Sequence, residues 1–140
     1  MFMAEDTGDV ELDAGNLLAA TAAYRECLEL DRRQRMRQGD TPQVLRDLSI
    51  SLHKLGDVER EAGKLSVATG AYRESLGLSR QLRESLGDTP QILRDLSISL
   101  HKLGDVEREA GRFHAAMAAY RESLELIRRL RATQIGRAHV

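Results

Sequence analysis

The sequence predicts an all-α fold, an α-solenoid of about two and a half stacked antiparallel helix pairs. Two observations carry this prediction. Residues 39–86 are followed directly by a second copy, 87–134, in which 13 of the 48 positions differ. Within each copy the apolar residues recur at helical spacing, and the alternation typical of strands is absent. Units of such an array bury their apolar faces against their neighbours.

A third, incomplete copy precedes the two full ones. Residues 8–30 repeat residues 56–78 at the same spacing of 48 residues. Residues 1–7 align with 49–55, so the first copy begins partway along a helix, as a cap or as a truncated unit. We therefore divide residues 1–134 into a partial repeat (1–38) and two full repeats (39–86 and 87–134).

The last six residues, 135–140, do not continue the repeat. Their sequence, Ile-Gly-Arg-Ala-His-Val, is the translation of a DNA stretch that resembles a widely used sequencing adapter. We therefore expect a non-native tail here, and exclude it from reasoning about the fold. On this interpretation the chain is a fragment of a longer array.

Each full unit opens with a helix-start signal. In the first, Asp40 and Thr41 supply a polar cap and Pro42 follows, where its missing N–H group costs nothing. An apolar stripe at three- and four-residue spacing then predicts the first helix. Its members are Leu45, Leu48, Leu52, Leu55 and Ala62.

A glycine separates this helix from the next. Gly63 interrupts the pattern and predicts a turn, and Gly87 stands where glycine commonly follows a helix end. Between them a second stripe predicts the second helix. It comprises Leu65, Ala68, Tyr72, Ser75, Ser79 and Leu82, widened by Leu76 and Leu78. Each unit is therefore expected to be two antiparallel helices of roughly 20 residues.

Another glycine recurs inside the first helix, as Gly8, Gly56 and Gly104. Glycine in a helix interior costs about 1 kcal/mol relative to alanine. Its recurrence therefore needs a reason, and we predict a close approach of the second helix at this point.

The residues around this glycine resemble the tetratricopeptide repeat. The motif has a large residue, Leu-Gly, alanine, an aromatic and a small residue at fixed spacing. The members are Leu52, Leu55, Gly56, Ala68, Tyr72 and Ser75 in one copy, Leu100, Leu103, Gly104, Ala116, Tyr120 and Ser123 in the next, and Gly8, Ala20, Tyr24 and Cys27 in the first. The extended helices are similar to those of bacterial long-helix and kinesin light chain repeats.

The sequence departs from the family pattern at several positions. Glu59 and Glu107 replace the usual aromatic residue, Leu52 and Leu100 replace the usual tryptophan, and the closing proline is absent. The period is 48 residues in place of about 34. The resemblance implies a scaffold that binds proteins or peptides on a concave surface lined by the first helices. The family's carboxylate clamp for chaperone tails is not matched, since His53 and Asp57 occupy the clamp positions.

Composition excludes several classes of function. The net charge of −1 gives no general attraction to nucleic acid or to anionic membranes. No apolar run approaches the length of a membrane span, and the first residues lack the features of a signal peptide. The single cysteine, Cys27, cannot form an internal disulfide, which favours a reducing, cytoplasmic setting. No cofactor is expected.

Catalytic and metal sites are also not favoured. Ser51, His53 and Asp57 invite comparison with a hydrolase triad, but Ser51 and His53 lie about 200° apart around a helix. His53 and Asp57, four residues apart, share a face and are expected to hydrogen-bond. His53 and His101 on successive helices lie roughly 10 Å apart at helix-packing distance, too far for a shared zinc ion. The chain is therefore predicted not to be an enzyme.

Two surfaces remain as candidates for binding. Basic residues at the ends of the second helices could form a basic edge facing the acids Asp57, Glu59, Glu61 and their copies, but aromatic residues for base stacking are missing. The non-core face of the first helices is the predicted partner-binding surface, for a protein or peptide. It comprises Arg46, Ile50, His53, Lys54, Asp57 and Arg60, and their copies Arg94, Ile98, His101, Lys102, Asp105 and Arg108.

Three functional hypotheses follow. The leading one is a non-catalytic, peptide- or protein-binding scaffold that uses the first-helix face. The alternative is a sensor or regulatory repeat arm of a larger bacterial signalling NTPase or protease, although no phosphate-binding loop occurs in the sequence. The third is self-association through the incomplete ends of the array, because such arrays need polar capping units.

Overall fold

The computed structural model describes residues 16–138. Within this range the chain forms five helices and no strand. Predictions that concern residues 1–15, including the packing role of Gly8, and residues 139–140 lie outside the described part of the chain. The helices are α1 (Leu17–Gln38), α2 (Pro42–Glu61), α3 (Leu65–Leu86), α4 (Pro90–Glu109) and α5 (Phe113–Ala138).

The helices pack in chain order, each against the next. The pairs α2–α3 and α4–α5 are the two full units, and α1 is the second helix of the partial one. The predicted all-α solenoid of helix pairs is therefore confirmed. One layer contains the first helices, α2 and α4, and the other contains the second helices, α1, α3 and α5.

Each first helix begins at the predicted signal. Thr41 is the N-cap of α2, and its side-chain oxygen accepts a hydrogen bond from the backbone N–H of Val44 at 3.2 Å. Pro42 occupies the first helical position, where no hydrogen-bond donor is needed. Thr89 caps α4 in the same way, through Ile92.

The predicted turn and helix end are both confirmed. Gly63, in the turn between α2 and α3, has φ of 78°, and Gly87, after α3, has φ of 80°. These are left-handed conformations that a side chain disfavours. The N–H of Gly87 donates to the carbonyl of Arg83 at 2.8 Å, which satisfies one of the carbonyls left open at the end of α3.

Gly56 has the packing role that the sequence predicts. A Cβ atom at this position would lie 2.6 Å from Cε1 of Tyr72 on α3. At Gly104 the equivalent distance, to Tyr120 on α5, is 2.5 Å. Each tyrosine ring therefore lies directly on the backbone of the first helix of its unit.

The core follows the two apolar stripes with one exception. Leu45, Leu48, Leu52 and Leu55 are buried, as are the stripe residues of α3 from Ala68 to Leu82. Ala62 was wrongly assigned to the core. It is exposed because α2 ends at Glu61 and Ala62 is already the C-cap.

Ion pairs join successive units in a fixed register. Arginine residues of one second helix reach glutamate residues of both helices of the next unit, across 34 or 42 positions in sequence. The pairs are Arg25–Glu59 (3.2 Å), Arg73–Glu107 (3.3 Å), Arg32–Glu74 (3.1 Å) and Arg80–Glu122 (2.7 Å).

This register corrects the prediction that Glu59 belongs to an exposed acidic surface. Both Glu59 and Glu107 are fully buried. Each occupies the place where the repeat pattern usually has an aromatic side chain, and each is held there by an arginine of the preceding second helix. A buried carboxylate is tolerated because it is paired.

Candidate functional site

The two first helices lie side by side and enclose a cleft with α3 as its floor. The cleft has a volume of about 240 Å³. Four of the predicted partner-binding residues line it, namely Arg46, Ile50 and His53 from α2 and Ile98 from α4. The remaining lining residues are Ser49, Ser75, Ser79, Leu82, Gln91, Asp95 and Ser99.

The apolar part of the cleft is formed by a pair of equivalent isoleucines. Ile50 and Ile98 are each 44% exposed, although they belong to helices with well-buried core stripes. Both lie off those stripes, as the sequence predicts. They therefore offer apolar surface to a ligand from both sides of the cleft.

Serine hydroxyl groups form the polar floor. Ser49 Oγ lies 2.8 Å from Ser75 Oγ and 3.2 Å from Ser79 Oγ, and Ser75 Oγ donates to the carbonyl of Ser49 at 2.9 Å. Because these groups hydrogen-bond one another, the floor is fixed without a ligand. The sequence analysis did not identify Ser49 as a cleft residue. The feature that could have identified it is a serine that follows a core leucine in both copies.

The rim of the cleft carries opposite charges on its two sides. Arg46 stands on the α2 side, and Asp95 stands on the α4 side. Gln91 donates to Asp95 Oδ1 at 2.7 Å, so the amide holds this carboxylate in place. Gln43 and Asp47 form the same pair on α2, at 2.8 Å. This repeated i,i+4 pair was the sequence signal that could have identified Gln91 and Asp95.

His53 lies between the cleft and the core. Its ring packs edge-on against Tyr72, with the ring centroids 5.6 Å apart. Burial, and secondarily the positive charge of Lys102, lower the pKa of His53. Nε2 is buried and has no hydrogen-bond partner among the described residues. Among the described residues, no hydrogen bond joins His53 to Asp57, so the predicted bond is not formed. On α4, His101 Nε2 approaches Asp105 Oδ2 only to 3.7 Å.

Several predicted binding residues instead hold the two units together. Lys102 Nζ contacts both carboxylate oxygens of Asp57, at 3.0 and 2.9 Å, and the Tyr72 hydroxyl donates to the same carboxylate at 2.5 Å. Burial and this hydrogen bond raise the pKa of Tyr72. Arg60 forms a bidentate ion pair with Glu109. Asp57, Lys102 and Arg60 are thus engaged within the protein.

The other predicted residues lie outside the cleft lining. Arg94 is exposed on α4, and Lys54 is half-buried on α2. Asp105 accepts a hydrogen bond from the Tyr120 hydroxyl, and Arg108 lies 3.8 Å from the same carboxylate. The predicted binding face of α2 and α4 is therefore divided in two. One part lines the cleft, and the other forms contacts within the protein near Tyr72 and Tyr120.

The geometry offers no triad at Ser51. The Ser51 hydroxyl is buried and donates to Asp31 of α1, away from His53. Across residues 16–138, no cluster of three or more histidine, cysteine or acidic residues could hold a metal ion. None of the helices in that range is both long and apolar enough to cross a membrane.

The arginines at the ends of the second helices do not form a free basic edge. Arg35 and Arg83 are bound to Asp40 and Asp88, and Arg129 also reaches Asp88 at 2.8 Å. The hydrogen bond from Arg35 lowers the pKa of Asp40 to about 2. Most of the positive charge predicted for this edge is therefore neutralised locally.

Comparison with known proteins supports the repeat assignment. Residues 97–131 match the tetratricopeptide repeat family model. No curated protein matches the chain. Among solved structures, the crystal structure of MamA is similar at 14% sequence identity, over 92% of this chain and 98% of that one, with a TM-score of 0.24. This TM-score is too low to establish a shared arrangement of helices.

The family match covers the end of α4 and most of α5. Residues 49–83, which span most of the corresponding helices α2 and α3, repeat this segment with nine of 35 positions changed. The closer similarity to kinesin light chain repeats and the bacterial and cytoplasmic assignments stay predictions. The family match shows that the chain contains a tetratricopeptide repeat at residues 97–131, and residues 49–83 form the same kind of helix pair.

Proposed function

We propose that the chain is a non-catalytic scaffold that binds a peptide segment of a partner protein in the cleft between α2 and α4. The observation that carries this proposal is the pair of half-exposed isoleucines, Ile50 and Ile98, facing one cleft with a fixed polar floor. A contiguous exposed apolar patch with a polar rim is the kind of surface that marks a binding site.

The size of the cleft favours a peptide side chain over a cofactor. Pockets for drug-sized ligands usually enclose about 300–1,000 Å³, and this one encloses about 240 Å³. A single aliphatic side chain fits that space, with the rest of the peptide running along the groove. Aliphatic contact with Ile50 and Ile98 removes apolar surface from water and provides affinity.

The charges on the rim give the peptide a preferred composition. On the α2 side, Arg46 has no ion-pair partner within residues 16–138, whereas one oxygen of Asp95 on the α4 side is already bound by Gln91. The guanidinium of Arg46 can therefore attract a carboxylate of the peptide. We expect an aliphatic anchor residue with an acidic residue on its α2 side.

A peptide array tests this proposal. The labelled 140-residue chain is applied to peptides that vary one aliphatic anchor and the charge of its flanking residues, and binding is then measured by fluorescence anisotropy. Ile50→Ser combined with Ile98→Ser is expected to weaken the best peptide by more than about tenfold. Arg46→Glu is expected to remove the preference for acidic flanks.

Leu124→Ser is the matched control, because Leu124 is an equally exposed aliphatic residue outside the cleft. It is expected to leave peptide affinity unchanged. The variants avoid Arg60 and Lys102, whose reversal disturbs the contact between units. Equal binding by wild type and by the Ile50/Ile98 variant would exclude the cleft.

The alternative, a sensor arm attached to an NTPase or protease, stays a prediction. It is compatible with the same cleft, because a regulatory arm also binds a ligand or a partner segment. Sequence on either side of this chain that encodes a phosphate-binding loop or a Cys/His pair is the observation that favours it.

A further inference from the structure

The cleft between α2 and α4 contains one buried hydroxyl group that the rest of the described protein does not bind. It belongs to Ser99 on α4, which lines the cleft and is only 5% exposed. Within residues 16–138, no backbone or side-chain group forms a hydrogen bond with its Oγ atom. Because buried polar groups are normally hydrogen-bonded, this exception needs an explanation.

The neighbouring serines are already satisfied. Ser49 Oγ lies 2.8 Å from Ser75 Oγ and 3.2 Å from Ser79 Oγ, so these three hydroxyl groups of the floor bond one another. Ser97, two residues before Ser99 on the same helix, donates to the carbonyl of Arg94 at 2.8 Å. The open hydrogen-bonding capacity is therefore specific to Ser99.

The equivalent serine of the preceding unit explains how Ser99 lost its partner. Ser51, 48 residues earlier, donates its hydroxyl hydrogen to the carboxylate of Asp31 on α1. The residue that corresponds to Asp31 is Ser79 on α3. The Ser79 side chain is one atom shorter than that of Asp31, and its hydroxyl is bonded to Ser49. Replacement of the acidic acceptor therefore leaves Ser99 without the bond that Ser51 forms.

The Ser99 hydroxyl is accessible from the cleft. Among the described residues, only His53 Nε2 and Glu59 Oε2 are fully enclosed and without a hydrogen-bond partner. Ser99 Oγ is not enclosed in this way, and the cleft is the cavity that Ser99 borders. The small accessible part of Ser99 therefore faces the cleft. A side chain that enters the cleft meets this hydroxyl, whereas it cannot reach Nε2 of His53.

A purely aliphatic side chain does not suit the cleft fully. Ile50 and Ile98 offer apolar surface to a bound side chain, but Ser99 offers a hydroxyl group. An aliphatic group seated there would separate this hydroxyl from water and give it no new partner. An unmade hydrogen bond of this kind costs affinity. The cleft is therefore complementary to a small side chain that has both a methyl and a hydroxyl group.

We propose that Ser99 is a specificity-determining residue of the cleft and that the anchor of the bound peptide is threonine. This inference rests on the proposed function and specifies the anchor more closely. The threonine methyl group contacts Ile50 and Ile98, and the two hydroxyl groups of threonine and Ser99 share a hydrogen bond. Threonine also fits the size of the cleft, about 240 Å³, because it occupies nearly the same volume as valine.

Three labelled peptides test this proposal against the 140-residue chain by fluorescence anisotropy. They are identical except at the anchor, which is threonine, valine or serine, with a glutamate beside it. The wild type is expected to bind the threonine peptide about threefold to tenfold more tightly than the valine peptide, because valine lacks the hydroxyl group. The serine peptide, which lacks the methyl group, is expected to bind about threefold to tenfold more weakly than the threonine peptide.

The variant Ser99→Ala is expected to remove the preference for threonine over valine. It breaks no hydrogen bond among the described residues, so the helices should be retained. Ser97→Ala is the matched control, because Ser97 is equally buried on the same helix but does not line the cleft. It is expected to keep the wild-type ratio of the two affinities. Each ratio is measured within one variant, so a change in stability does not affect it.

The possible results separate this inference from the proposed function. If the wild type binds the valine peptide as tightly as the threonine peptide, the inference is wrong and the cleft is still a peptide site. If Ser99→Ala keeps the threonine preference, Ser99 is not its cause and the inference is also wrong. If the wild type binds none of the three peptides, both the inference and the proposed function are overturned.

Discussion

At the scale of the single residue, the most informative difference between the units concerns two buried glutamates. Glu107 is bound by Arg73 and by Arg112, whose Nε and Nη2 contact its carboxylate at 3.1 and 3.0 Å. The hydrogen bond from Arg112 lowers the pKa of Glu107. Glu59 accepts a hydrogen bond from Arg25, but its Oε2 atom is buried and has no hydrogen-bond partner among the described residues. Lys64 occupies the position that Arg112 has in the next unit, and the second donor is missing there.

We therefore expect Lys64→Arg to increase the free energy of unfolding by about 1 kcal/mol, since it supplies the missing donor. Arg112→Lys should decrease it by about 1–2 kcal/mol, since it leaves a buried carboxylate under-satisfied. Urea denaturation measures both. Each substitution makes one unit resemble the other, so the two act as mutual controls. Changes of the same sign in both variants would contradict this explanation.

His53 is expected to make stability depend on pH. The groups around it are Asp57 on its own helix, Tyr72 on α3, and Asp95 and Lys102 on α4. Because its pKa is lowered in the folded state, the unfolded chain binds a proton more readily. Stability is complete above the ordinary histidine pKa of about 6.5 and decreases as the pH falls below it.

Chemical denaturation between pH 7.5 and about 5.5 measures this dependence. His53→Gln should flatten the profile in that interval, whatever its effect on stability at pH 7.5. His101→Gln is the matched control on α4, where the ring is exposed, and it should retain the slope of the wild type. If the wild type and His53→Gln have parallel profiles, burial of His53 does not cause the dependence.

At the scale of the element, Gly56 determines how closely α3 can approach α2. An alanine Cβ would lie 2.6 Å from a Tyr72 ring that is fully buried and hydrogen-bonded to Asp57. The ring has no free space to move. Overpacking of this kind costs about 1–3 kcal/mol, and it outweighs the roughly 1 kcal/mol that alanine gains in helix propensity.

Gly56→Ala is therefore expected to lower the free energy of unfolding by about 1–2 kcal/mol. Gly70→Ala is the control, because a Cβ on this exposed α3 glycine meets nothing within 4 Å. It should stabilise the protein by up to about 1 kcal/mol. Denaturation curves that show stabilisation by both substitutions would disprove close packing as the reason for Gly56.

Local signals in the sequence predicted these elements well. The Asp-Thr-Pro starts, the glycine ends and the Gly56 contact each depend on a few neighbouring residues and on rules of helix geometry. The failure at Ala62 has the same origin. The apolar spacing in the sequence extends to Ala62, but the helix ends at Glu61. The backbone turns there, and N–H groups of the turn bind the last carbonyl groups of α2.

At the scale of the whole molecule, the candidate site was less predictable. The sequence placed twelve residues on one face of the first helices, but the structure uses Asp57, Arg60 and Lys102 between units. Which side chains meet across a junction depends on the rotation and shift of one unit relative to the next. The similarity of the two copies does not reveal that rotation, so the cleft could not be predicted from the repeat alone.

The contact between α2 and α4 is the place to test how strongly the units are coupled. Arg60 and Glu109 form a bidentate ion pair, with about a third of each side chain exposed. The hydrogen bond from Arg60 lowers the pKa of Glu109. Arg60→Glu or Glu109→Arg should each lower the free energy of unfolding by about 1 kcal/mol, because like charges then face each other in a partly screened position.

The double variant, Arg60→Glu with Glu109→Arg, should recover much of this loss, and a double-mutant cycle from urea denaturation gives the coupling energy. Since each unit of an array contacts only its neighbours, weaker coupling also reduces cooperativity. The single variants should therefore show a smaller dependence of unfolding free energy on urea than the wild type. The opposite outcome is a double variant whose loss of stability equals the sum of the two single losses, with an unchanged dependence on urea. In that case apolar stacking holds the units together, and this ion pair contributes nothing to their coupling.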